Sequence, residues 1–128
     1  MNCDVAVIGA GPAGIQAAMQ ASRKKASVIV LGKPEVSALH GAEISNYLGT
    51  GTMSGEDILA EGIRQAEAVG AVLIRENVIS ASGGSVFTLG LEGGETVTAK
   101  AVVLATGISR LKLGVPGEKE LFGKGVSY

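Results

Sequence analysis

Residues 5–14 read Val5-Ala6-Val7-Ile8-Gly9-Ala10-Gly11-Pro12-Ala13-Gly14, a short apolar run passing directly into three spaced glycines. Four consecutive apolar residues suit a strand buried on both faces, as in a parallel sheet. Past the glycines, Ala13, Ile15, Ala17, Ala18, Met19 and Ala21 are good or tolerable helix formers, Pro12 suits a first helical turn, and Arg23, Lys24 and Lys25 gather at the negative end of the dipole. A second apolar run at 28–31 completes a strand, helix, strand unit within about thirty residues, which predicts two parallel strands. The fold class is therefore α/β: a Rossmann-like parallel sheet.

Working outward, Ser54 and Asp57 approximate a capping box. Ile58, Leu59, Ile63, Ala66 and Val69 then form a helical stripe that Gly70 can end. Residues 71–74 are a third apolar run. The period then changes to alternation, with Phe87, Leu89 and Leu91 on one face and glycine pairs at 83–84 and 93–94 where hairpin turns are needed. This predicts a small antiparallel β-meander inserted at about 77–100. Residues 101–105 return to a continuous apolar run, read as re-entry into the buried parallel sheet.

Composition bounds the rest. The 128 residues carry 11 basic and 12 acidic side chains, so one domain spanning 1–128 is expected and no electrostatic attraction for nucleic acid follows. Glycine supplies 20 residues, more than twice the usual ~7%. Cys3 is the single cysteine, which excludes an internal disulfide and fits a reducing cytoplasm. The uncharged stretch 5–22 is broken by Gly9, Gly11, Pro12 and Gly14 and holds Gln16 and Gln20, so no membrane partner is expected. His40 has no evident companion ligands, and the acids of 56–67 belong to a helix pattern. No catalytic or metal residue is assigned.

Gly9, Gly11 and Gly14 form G-x-G-x-x-G after a strand and at the start of a helix. There Gly9 permits the turn, Gly11 leaves room for a diphosphate and Gly14 lets the helix pack on the sheet. Free amides at the helix start, around Pro12 and Ala13, would then face the anion without any basic side chain. A dinucleotide, FAD or NAD, is the ligand this pattern calls for.

Beyond that motif, Ile44-Ser45-Asn46-Tyr47-Leu48-Gly49, Gln65-Ala66 with Val69-Gly70-Ala71, Val102-Val103-Leu104-Ala105-Thr106-Gly107, Leu113-Gly114-Val115-Pro116-Gly117-Glu118 and Gly123-Lys124-Gly125-Val126-Ser127-Tyr128 follow in order. Together they resemble segments of the thioredoxin-reductase-like, FAD-dependent pyridine nucleotide-disulfide oxidoreductases across nearly the whole chain. The resemblance implies an incomplete FAD-binding domain, with the diphosphate over residues 11–14 and the ribose and adenine near Leu31, Gly32 and Lys33. It implies an adenine contact through the Val78 backbone, and Asn46, Ala105, Thr106 and Gly107 near the flavin. The implied activity is electron transfer from a pyridine nucleotide through FAD to a disulfide or another acceptor.

Three departures stand out. The acid expected at the end of the second strand is replaced by Leu31 and Gly32, Glu35 is the nearest acid, and Lys33 is left to meet the phosphate or ribose. The family's Gly-Gly-Gln stretch has no counterpart between 34 and 41. No Cys-x-x-Cys or second glycine fingerprint is present, so NAD(P)H enters as electron donor only with a further domain, and these residues are not expected to turn over alone. The expectation is a segment of a longer flavoprotein, or a homo-oligomer, in which a further polypeptide covers an open sheet edge. Two other readings stay open: a stand-alone nicotinamide-dinucleotide regulatory module, and a non-catalytic structural fragment.

Overall fold

A computed structural model describes residues 1–109 and 111–127; Arg110 and Tyr128, the latter closing the last resembling segment, lie outside the described residues. The opening apolar run is strand β1 (Asn2–Ile8), followed by helix α1 (Pro12–Arg23) and strand β2 (Val28–Leu31). After a 3-10 turn at Pro34–Val36 come the two-residue strands β3 (Glu43–Ile44) and β4 (Met53–Ser54), helix α2 (Gly55–Ala68) and strand β5 (Ala71–Ile74). Strands β6 (Val78–Ser82), β7 (Phe87–Leu91) and β8 (Thr96–Leu104) complete the order.

The six-stranded sheet runs β5-β2-β1-β8-β7-β6. Its first four strands are mutually parallel, while β7 is antiparallel to β8 and β6. Strand alternation divides the core between two faces. Val7, Val28 and Val30 point to the side covered by Ile15, Ala18 and Met19 of α1 and Leu59 and Ala66 of α2. Ala6, Ile29 and Leu31 point to the other side, where Leu89, Leu91, Val97 and Ala99 of the meander close on them. The helix ends follow local chemistry. Ser54 Oγ accepts from Asp57 N–H at 3.0 Å, and Gly70, at φ +98°, ends α2 with its N–H on the Glu67 carbonyl.

Residues 101–104 do re-enter the parallel sheet beside β1, as the end of one nine-residue strand, β8, that begins in the meander and pairs β7 over Thr96 to Ala99 and β1 from Thr98 to Leu104. The expected burial is corrected, since Ala101 is exposed and Leu104 is 75% exposed. Past Ala99, β8 is paired only with β1 among the described residues; Ala101, Val103 and Leu104 are exposed, while Val102 is half-buried against the second core cluster. The β3–β4 ladder was not expected at all. It pairs Glu43 with Ser54 and Ile44 with Met53, closing the loop ahead of α2.

Candidate functional site

Strand register builds the site. Ile8 pairs with both Leu31 and Leu104, and Leu31 pairs with Ile74, so four parallel strands stop side by side. The residues that follow are thereby set along one carboxyl edge, the place where open α/β sheets take ligands. Gly9 N–H donates to the Leu31 carbonyl at 2.8 Å, Ala105 N–H to Ile8 at 2.8 Å and Gly32 N–H to Ile74 at 3.1 Å, which ties the strand ends together.

Each motif glycine meets a different constraint. Gly9 has φ +116°, and a Cβ there would lie 2.1 Å from the Ala105 carbonyl oxygen. A Cβ on Gly14 would lie 1.9 Å from the Gly9 carbonyl oxygen, so α1 rests on the turn itself. Gly11 differs: its φ of −83° suits any residue, and the nearest atom to an added Cβ is Ser37 Oγ at 3.3 Å. A side chain there would press on the Ser37 hydroxyl, a movable group, rather than on backbone. Gly11 is also the N-cap of α1 without a capping side chain, the first turn holds no acid, and the first intrahelical bond is Ile15 N–H to Gly11 at 3.0 Å. The amides of Ala13 and Gly14 therefore have no intrahelical acceptor, at the positive end of the helix dipole.

A cleft of about 870 Å³ opens over this corner. It brings together Gly9, Gly11, Pro12, Ala13, Leu31, Gly32, Lys33, Val78, Ala105, Thr106 and Gly107 of the sequence-derived set. Gly14 lies beneath as a packing residue, and Asn46 is exposed outside the lining. Sequence reasoning missed Ser37, Leu39, Ala42 and Asn77, which also line it. The loop carrying the first three is held by α2: Gly55 N–H donates to Ala42 at 2.7 Å, a Cβ on Gly55 would sit 1.6 Å from the Leu39 carbonyl oxygen, and His40 Nε2 lies 3.2 Å from Glu56. Asn77 had a faint signal, as the third residue past a parallel strand end.

Charge in the cleft is sparse. Lys33 forms an ion pair with Glu92, and Arg75 with Glu35. The Lys33 amine, with help from Asn77, holds the Glu92 carboxyl below its ordinary range. Cys3 is buried within β1 and donates weakly to the Thr98 carbonyl at 3.7 Å; burial pushes its thiol up, away from the thiolate that reactivity requires. Among the described residues no group of three or more His, Cys, Asp or Glu is placed to hold a metal, and no helix is long and apolar enough to cross a membrane. At the start of α1 this arrangement offers an anion backbone amides without an intrahelical acceptor.

The family model described as pyridine nucleotide-disulphide oxidoreductase matches residues 3–128. The chain belongs to that family. It is 36% identical over 127 residues to thioredoxin reductase of Listeria monocytogenes and 35% over 127 residues to that of Bacillus subtilis strain 168, in each case using 98% of this chain and 40% of the relative. Among solved structures, a thioredoxin reductase from Gloeobacter violaceus superimposes with a TM-score of 0.79 at 35% identity, covering 99% of this chain and 41% of that one. One from Streptococcus pyogenes gives 0.83 at 31% identity, covering 99% and 42%. The chain thus spans about 40% of the length of the curated relatives it matches. The mixed sheet with its parallel core is the fold expected from the residues, and the family is the one the motifs resembled.

Proposed function

We propose that the cleft binds FAD and that these residues form the flavin-holding part of a thioredoxin-reductase-like oxidoreductase. The observation that carries this reading is the corner at Gly9, Gly11 and Gly14: an uncapped helix start at the carboxyl edge, with the Gly11 backbone lining the cleft. The residues fit the group. A diphosphate has the free amides of Ala13 and Gly14, the adenine has the strand ends around Leu31, Gly32 and Val78, and the flavin side has Ala105, Thr106 and Gly107. Gly107, at φ +74° with nothing within 4 Å of an added Cβ, keeps that side open to a ring system.

When bound, FAD supplies hydride and electron transfer chemistry. The chain's own residues bind and orient it. Transfer from NAD(P)H to a disulfide needs a dithiol, and the one cysteine here, Cys3, is buried, so this step calls on groups outside these 128 residues. The test is the colour and content of the purified chain. A yellow protein that releases flavin on denaturation, and is raised in melting temperature by added FAD, supports the reading. A colourless protein stabilised by NADH but not FAD would replace it with a nicotinamide module, and one indifferent to FAD, NAD and NADP would make it a structural element.

A further inference from the structure

In a dinucleotide site of this layout an acid at the end of the second strand accepts hydrogen bonds from the adenine ribose. Here neither candidate position offers one. Leu31 is 1% exposed with its side chain in the core, and Gly32 sits at φ +143° with Ala10 N 3.1 Å from where a Cβ would stand. Glu35 is occupied by Arg75.

Distant parts of the chain meet at that place instead. Lys33, after β2, and Asn77, after β5, both line the cleft. Glu92, in the turn between β7 and β8, is not itself in the lining but bridges these two lining residues, pairing with Lys33 through Oε1 and accepting from Asn77 Nδ2 at 3.1 Å through Oε2. Two backbone amides fasten the turn there: Glu92 N–H donates to the Asn77 carbonyl at 3.0 Å and Gly93 N–H to the Glu76 side chain, Oε2, at 2.8 Å. A carboxylate has about four acceptor sites. Lys33 and Asn77 take part of that capacity, and the remainder can accept from a ribose hydroxyl.

Resting on the dinucleotide reading above, we propose that Glu92 is the ribose acceptor of this cleft, supplied by the meander turn in place of β2, and that Lys33 and Asn77 are its positioning residues. The ligand class is an adenine dinucleotide with an unphosphorylated ribose. A 2′-phosphate would face a carboxylate that already holds the Lys33 charge, so like-charge repulsion disfavours it.

The experiment is flavin-fluorescence titration of the chain with FAD, followed by competition with ADP-ribose and with its 2′-phosphate. The expected wild-type result is saturable FAD binding and a preference of about tenfold or more for the unphosphorylated competitor. Glu92→Gln is expected to weaken FAD binding about tenfold, the scale of one hydrogen bond to a charged acceptor, and to erase the preference. Lys33→Met should weaken FAD binding and Lys33→Arg restore it. If Glu92→Gln binds FAD as tightly as wild type, or loses affinity for both competitors by the same factor, the assignment of Glu92 is overturned while the FAD reading stands. If the wild-type chain binds no adenine dinucleotide, both are overturned.

Discussion

Replacing Gly14 by alanine sets two local rules against each other. Inside an exposed helix, Gly→Ala stabilises by roughly 0.5–1 kcal/mol. At Gly14 the new Cβ would stand 1.9 Å from the Gly9 carbonyl oxygen, about 1 Å inside the 3.0 Å that real Cβ atoms keep, and 3.3 Å from Val7 Cγ1. The obstacle is backbone, so relief requires α1 to lift from the sheet or the glycine turn to deform. Overpacking of this kind costs about 1–3 kcal/mol, which exceeds the propensity gain. The net expectation is a loss of about 1–2 kcal/mol, read as a lower urea midpoint with an unchanged slope and a melting temperature lower by about 4–8 °C. The measurement needs no ligand. A Gly14→Ala chain as stable as wild type, or more stable, would refute the claim that α1 rests on the turn.

Gly11→Ala should do the reverse: with φ −83° and only the movable Ser37 side chain within 4 Å of an added Cβ, it changes stability by less than ~1 kcal/mol, yet lowers FAD affinity in a titration at least about tenfold by adding a methyl group at the helix start proposed to meet the diphosphate. Asp4 is held far below its ordinary range by the Lys100 amine first, and by the Ser27 amide and hydroxyl. A lowered folded value means its stabilisation is present above the unfolded pKa of ~3.9 and fades as pH falls through the folded one. The stability gap between wild type and Asp4→Asn, from urea unfolding, should therefore be full at pH 7 and shrink below about pH 4; a gap that grows there would contradict the assignment. The half-paired end of β8, with Leu104 75% exposed, predicts concentration-dependent self-association by light scattering, reduced in Leu104→Lys. A monodisperse monomer at all concentrations would argue against it.

The parallel core was legible because its signals are local. Residues 5–8 and 28–31 are too short and too continuously apolar for amphipathic helices, and the glycine spacing marks the turn and helix start. Residues 33–44 were not legible, because that loop has no periodicity and takes its shape from α2, through the Gly55 and Ala42 bond and the Leu39 carbonyl. The end of β8 misled for a related reason. Val102, Val103 and Leu104 have the composition of a buried strand, but burial depends on neighbours that composition does not reveal. In the site, the motif residues came from one segment and were readable together. Glu92 reaches Lys33 only because the meander folds back over β2 and β5, a contact no linear pattern encodes.

Binding of FAD to the unmodified 128-residue chain, followed by flavin fluorescence and calorimetry, tests the central claim most directly. One saturable site per chain, lost in Gly11→Ala while the fold persists, is the result that follows from the open amides of α1. Absence of saturable binding, or undiminished binding by Gly11→Ala, would contradict it.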